Sequence, residues 1–293
     1  RYAALSHSWG KAQVITTTSQ TLDQYKQCLS YTKLPQTFRD AIKIARRLAI
    51  GLLWIDSLCI IQDSTLDWEE QAAKMASVYA NATVVIAAES ALDGSGGCFI
   101  SSDERTYTPF EFECPGPEGS KSAVYARPDR KSGPISPFCS SHTRQAWSHL
   151  STRAWVYQEQ LLGRRILHYT KSEMAWTCNS ANICECQTVG LSPQIEVPQD
   201  IIPEQTSLSK RTVLNMWTNF TEEYTRRSVT HAIDRLPAIS GIAAACNQHF
   251  SGQYLFGIWQ DHLPEALLWS VSVTKTRQSQ RIESYAPSWS WAS

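Results

Sequence analysis

The chain of 293 residues has no surplus of either charge, since 27 Lys and Arg balance 27 Asp and Glu. That balance excludes the broad positive face a nucleic-acid binder presents, and the densest basic stretch, Lys275, Arg277 and Arg281, is short. No apolar run reaches the about 18 residues that cross a bilayer, and the N-terminal stretch holds no signal-peptide pattern. Neither G-x-x-x-x-G-K, H-E-x-x-H nor G-x-S-x-G occurs, so phosphate-loop, zinc-helix and nucleophile-elbow enzymes drop out. Gly94-Ser-Gly-Gly97 is glycine-rich, but no helical pattern follows it, and it reads as a loop. Nine cysteines is an odd number spread over a long chain, which fits reduced thiols and a soluble cytoplasmic protein better than a disulfide framework. Cys178, Cys184 and Cys186 with His168 would supply four zinc ligands, but C-x5-C-x-C lacks the paired knuckles of structural sites, and no metal is expected.

What is present is a two-period rhythm. Tyr2 to Leu5, Leu52 to Ile55 and Ala82 to Ala88 are short apolar runs that read as buried strands. Between them, Phe38, Ala41, Ile42, Ala45, Leu48 and Ala49 recur at helical spacing after Pro35, with Arg39, Lys43, Arg46 and Arg47 on the solvated face and Gly51 as the stop. Trp68, Ala72, Met75 and Tyr79 mark a second helix from about Leu66. Strand, helix, strand, helix, strand predicts a parallel sheet with helices on both faces. Residues 89–150, broken by glycine and proline, read as an insertion. Ser151 and Thr152 then cap a helix through Leu162, and Ile166 to Tyr169 forms a strand with Met174 to Thr177 nearby. A polar connector at 188–203 leads to helices over 204–227 and 231–249, and Tyr285 to Ala292 alternates like a strand. The expected division is a core over 1–170 and a C-terminal elaboration over 171–293. Of the eleven tryptophans, those at 54, 68, 176, 289 and 291 read as core, and Trp9 as a pocket wall.

Polar residues gather where these strands end: Ser6, His7 and Trp9 after the first, Asp56 and Ser57 after the second, and Arg153 to Glu159 on the later helix. In a parallel sheet the carboxyl ends of the strands open on one edge, where ligands bind. Asp56 suits either capping a turn or holding a ribose. Cys59 with His7 offers a thiol and an imidazole for nucleophilic catalysis, against the plainer reading that a cysteine between Leu58 and Ile60 is inert packing.

Four stretches carry a family resemblance: Tyr2 to Gly10 (YAALSHSWG); Leu34 to Ile42 (LPQTFRDAI) running on to Leu53 through Asp63 (LWIDSLCIIQD); Ser151 to Glu159 (STRAWVYQE); and Ala286 to Ala292 (APSWSWA). In order and spacing they resemble the fungal heterokaryon incompatibility (HET) domain. The resemblance implies an effector of programmed cell death triggered by fusion of genetically different cells, and a distant likeness to Toll/interleukin-1 receptor (TIR) domains. It implies a TIR-like, flavodoxin-like parallel sheet flanked by helices, with a long insertion and a helical C-terminal elaboration. Trp155 and Glu159 resemble the TIR W-C-x-x-E segment, with Val156 in place of its cysteine.

On that likeness Glu159 is the candidate catalytic carboxylate of an NAD glycohydrolase; Asp56 is a second candidate, and Cys59 a third through the competing thiol chemistry. A carboxylate near the ribose stabilises the oxocarbenium-like transition state. Ser6, His7, Trp9, Ser57, Arg153, Trp155 and Gln158 would bind the substrate, Trp155 by stacking on a ring. The plainer role for the pair is packing by Trp155 and an ion pair from Glu159 to Arg153 or Arg164. NAD is then a substrate and no cofactor is expected. Whether the chain is an enzyme stays open: a non-enzymatic, self-associating signalling module fits as well, as does a scaffold recruited to small-molecule synthesis through Cys59, His7 or Glu159.

Overall fold

The computed structural model describes residues 1–10, 15–99, 110–115, 121–126, 148–171, 174–184, 209–247, 249–270 and 286–293. The connector expected over 188–203, Cys186, the basic residues at 275, 277 and 281, and much of the 89–150 insertion lie outside them.

Ala3, Ala4 and Leu5 have no exposed surface, as a central strand covered on both faces requires. They form β1 (Ala3–Ser6). After α1 (Leu22–Gln27) comes α2 (Gln36–Arg47), then β2 (Leu53–Trp54), the single turn α3 (Asp56–Cys59), α4 (Thr65–Asn81) and β3 (Val84–Ala87). A hairpin of β4 (Phe110–Pro115) and β5 (Lys121–Ala126) falls in the insertion. Next are α5 (Ala154–Leu162), β6 (Arg165–Tyr169), β7 (Met174–Cys178) and β8 (Ala181–Cys184). The C-terminal part holds α6 (Lys210–Thr225), α7 (Pro237–Asn247) and a short pair, β9 (Tyr254–Leu255) with β10 (Ile258–Trp259).

One six-stranded sheet runs β2-β1-β3-β6-β7-β8. The first four strands are parallel, with Ala3 opposite both Leu53 and Val84, and Val85 opposite Ile166. Strands β7 and β8 extend it antiparallel, so the sheet is mixed and not wholly parallel. Alternation sorts β1 and β3 between two cores. Ala3, Leu5, Val84 and Ile86 pack on Phe38, Ala41 and Ile44 of α2. Ala4, Val85 and Ala87 face the other way, toward Met75 and Tyr79 of α4 and Val156 of α5. Helices on opposite faces are what right-handed crossovers require when β1 connects outward to β2 and β2 returns past β1 to β3.

The elaboration packs on the α4/α5 face. Ile239, Ile242 and Ala243 of α7 join Ala154 and Tyr157 of α5, Val213, Trp217 and Tyr224 of α6, and Trp259 in one core. Several local expectations change. Helix α2 ends at Arg47, and Ala49 at φ 54 makes the turn expected of Gly51. Ser151 and Thr152 sit in a 3-10 turn, and Arg153 occupies the cap position of α5 without a side-chain cap. The described part of the tail forms turns, not a strand. Ser290 Oγ donates to the Phe256 carbonyl (2.6 Å) and Trp291 Nε1 to that of Gly257 (2.8 Å), contacts that outweigh the alternation. The most deeply buried tryptophans are Trp217 and Trp259, whereas Trp54, Trp68, Trp176 and Trp291 are half-buried and Trp289 is exposed.

Candidate functional site

The order β2-β1-β3 reverses direction at β1, the place where open α/β sheets leave a crevice at their carboxyl edge. Ser6, His7, Ser8 and Trp9 leave β1 here, and Asp56 and Ser57 stand just after β2. Gly10 turns the chain at φ 69, and a Cβ on it would lie 2.2 Å from that of Asp93, so the β1 turn and the 92–95 loop meet only because this residue is glycine.

Asp56 links the cluster. Its Oδ2 accepts from Trp9 Nε1 at 2.9 Å and its Oδ1 from the Ser57 amide at 2.7 Å. His7 Nδ1 lies 3.7 Å from Asp56 Oδ1, beyond hydrogen-bond reach, and both imidazole nitrogens are buried without a hydrogen-bond partner among the described residues. Burial holds the His7 pKa below its ordinary value, against the pull of Asp56. The ring is therefore neutral, with one N–H and one lone pair unspent. Arg153 donates from Nη1 to the His7 carbonyl at 2.7 Å.

Glu159 lies on the other side of β1. Ser6 shares the parity of Ala4 and turns toward α4 and α5, where Glu159 and Tyr79 stand; His7 shares the parity of Leu5 and meets Phe38 of α2 edge-on, with ring centroids 5.0 Å apart. Glu159 is 5% exposed, and its Oε2 has no hydrogen-bond partner among the described residues. Burial is the main cause that pushes its pKa up to about 7; the Asp56 charge adds to the shift, while the hydroxyls of Ser6 and Tyr79 and the Arg153 charge oppose it. The Tyr79 phenol donates to the Leu5 carbonyl at 3.2 Å.

A cavity of about 360 Å³ opens on the His7 side, bounded by His7, Trp9, Gln36, Phe38, Arg39 and Ser95. Glu159 and Asp56 are not among its walls. Trp155 Nε1 donates to Asp234 (3.1 Å), and Gln158 Oε1 accepts from the Gly241 amide (2.7 Å), so both residues of α5 face the C-terminal elaboration and not the strand ends. Cys59 is exposed, its thiol pKa is raised by desolvation and by the Asp56 charge, and no hydrogen bond joins it to His7. The structure thus gathers Ser6, His7, Trp9, Asp56, Ser57, Arg153 and Glu159 and leaves Trp155, Gln158 and Cys59 outside the cluster.

Arg39 and the pairing of Glu89 with His168 escaped the sequence reading. Arg39, assigned to the solvated face of α2, is half-buried and forms a cavity wall. Glu89 and His168 are both buried, with Nδ1 of the imidazole 2.6 Å from Glu89 Oε1 and Nε2 2.5 Å from Thr177 Oγ1. His168 is therefore engaged in a polar chain across β3, β6 and β7, not in a zinc site. Among the described residues no cluster of His, Cys, Asp or Glu is suited to a metal, and no helix is long and apolar enough to cross a membrane.

Fold and site together define a mixed, mostly parallel α/β protein with a polar cluster at the carboxyl edge of its sheet. The family model for heterokaryon incompatibility protein (HET) matches residues 2–159. The chain belongs to that family, and the match takes in every strand-end residue gathered here. No curated protein and no solved structure matches the chain.

Proposed function

We propose that the chain is an effector of heterokaryon incompatibility that hydrolyses a nucleotide at the carboxyl edge of a TIR-like sheet, with NAD the first substrate to test. The observation that carries this reading is the Glu159 carboxyl group: buried, with one oxygen unpartnered among the described residues, and with a pKa that burial pushes up to about 7. Near neutral pH such a group exists in both forms. As a carboxylate it holds a ribose hydroxyl and stabilises positive charge developing at the anomeric carbon. The N-glycosidic bond breaks, nicotinamide leaves with the electron pair, and water adds to the ribose carbon and releases a proton. Asp56 holds Trp9 through its indole N–H on the His7 side of β1, and Arg153 fixes the His7 backbone.

The test is incubation of concentrated protein with NAD, with nicotinamide measured for wild type and for Glu159→Gln. Release by wild type and its loss in the variant is the expected result. No release from wild type removes the hydrolase, and undiminished release from the variant removes Glu159 as its catalytic group. A second reading, a self-associating module that binds without turnover, is favoured by one observation: Glu159 is 5% exposed and does not line the neighbouring cavity. That reading predicts no nicotinamide release together with a concentration-dependent mass in solution.

A further inference from the structure

The cavity on the α2 side of β1 collects polar groups that nothing else in the described structure satisfies. His7 is 4% exposed with neither ring nitrogen hydrogen-bonded. Arg39 places Nη2 on Gln36 Oε1 at 2.7 Å, but its Nε is buried without a partner and no carboxylate pairs with it among the described residues. A half-buried guanidinium with a buried, unpartnered Nε and no carboxylate beside it gains charge-assisted hydrogen bonds from a ligand anion.

Helix α2, twelve residues long, begins at the same wall. Its first turn contains no acidic residue, and Pro35 at its cap has no side-chain acceptor to offer. The Thr37 amide is spent on the Gly94 carbonyl (2.9 Å), and the N-terminal end of the helix, the positive end of its dipole, borders the cavity through Pro35 and Gln36. None of the described residues lining the cavity is acidic. The nearby carboxylates are already engaged: Asp56 by Trp9 and Ser57, Asp93 by Ser95, and Asp40 by Gln36, Lys43 and the Cys98 amide. The remaining wall is apolar and aromatic, with Trp9, Leu34 and Phe38. A volume of about 360 Å³ lies at the low end of ligand pockets, which run about 300–1,000 Å³. That suits one nucleoside and its phosphate.

We infer that this cavity binds the phosphate end of a mononucleotide-sized ligand, with Arg39, His7 and the α2 N-terminus on the phosphate and the aromatic wall on the ring. The inference deepens the nucleotide reading above and rests on it for the class of ligand; its location rests on the cavity alone. A dinucleotide would place one half here and its other half across the end of β1.

The experiment is calorimetric titration of the full chain with adenosine 5′-monophosphate and with adenosine, for wild type and for Arg39→Gln. Arg39 is half-buried near the start of a helix, so the variant is expected to keep the fold, and circular dichroism checks that. Wild type should bind the monophosphate at least about tenfold more tightly than adenosine, and Arg39→Gln should erase that preference while leaving adenosine affinity unchanged. Equal affinity for both probes, no binding of the monophosphate, or an unaffected folded variant overturns the assignment. Nicotinamide release is scored separately. Monophosphate binding without release keeps this site and removes the hydrolase; release without the phosphate preference does the reverse.

Discussion

Glu159 makes the stability of the whole protein depend on pH in a way that one substitution removes. Its pKa rises from an ordinary 4.5 to about 7 in the folded chain, with burial as the main cause. A carboxyl group with a raised folded pKa holds its proton more tightly in the native state. Its contribution is therefore fully present below about pH 4.5 and is lost as pH rises through about 7. At 1.36 kcal/mol per pH unit, the interval corresponds to about 3 kcal/mol, and because the group is buried no solvent-screening discount applies. Glu159→Gln keeps the shape and removes the titration. Urea unfolding of wild type and variant at steps from pH 4.5 to 8 gives the difference in unfolding free energy, in which the other titrating groups cancel. The variant should gain on wild type by about 3 kcal/mol across that window, most of it between pH 5 and 7. A difference that stays flat to within about 0.5 kcal/mol would refute the claim that this carboxyl group is desolvated.

Two other substitutions probe what holds the sheet edge and its helices. Glu89→Ala leaves the buried His168 imidazole without its carboxylate partner and should cost about 3–5 kcal/mol, measured by urea unfolding, with Glu89→Gln costing clearly less because it keeps an acceptor; equal costs for the two would show that the retained acceptor contributes nothing and that the charge alone carries the interaction. A Cβ at Gly241 would lie 2.2 Å from that of Ala76 and 2.6 Å from Gln158 Oε1, so Gly241→Ala should push α7 off α4 and α5 at a cost of about 1–3 kcal/mol, and a neutral melting temperature would contradict the close approach.

The legible parts of the fold are those where burial and periodicity agree. β1 and β3 are covered on both faces and appear as continuous apolar runs, and α2 and α4 each show one apolar stripe. The tail misled because Tyr285 to Ala292 alternates in residue size, whereas what fixes it is tertiary: Ser290 and Trp291 bond the carbonyls of Phe256 and Gly257, more than thirty positions back. Glu89 and His168 are 79 residues apart, on the ends of two strands separated by the insertion. No local pattern joins them, and only the β3–β6 pairing does.

The site was legible in its membership and not in its shape. Ser6, His7 and Trp9 read as one group because they are neighbours in sequence, yet the two-residue period of a strand sends Ser6 and His7 to opposite faces. Applied to β1, that rule alone separates a Ser6, Tyr79 and Glu159 side from a His7, Phe38 and Arg39 side. It also explains why a carboxyl group and a cavity assigned to the same edge do not share a wall. Arg39 escaped for a related reason: charge on the polar stripe of a helix reads as solvated, but at the first turn of α2 that stripe abuts the end of β1 and the 94–95 loop, which bury half of it. Asp56, bonded to Trp9, 3.7 Å from His7 Nδ1 and acting by its charge on Glu159, reaches both sides, so a ligand that uses both must pass over it at the strand end.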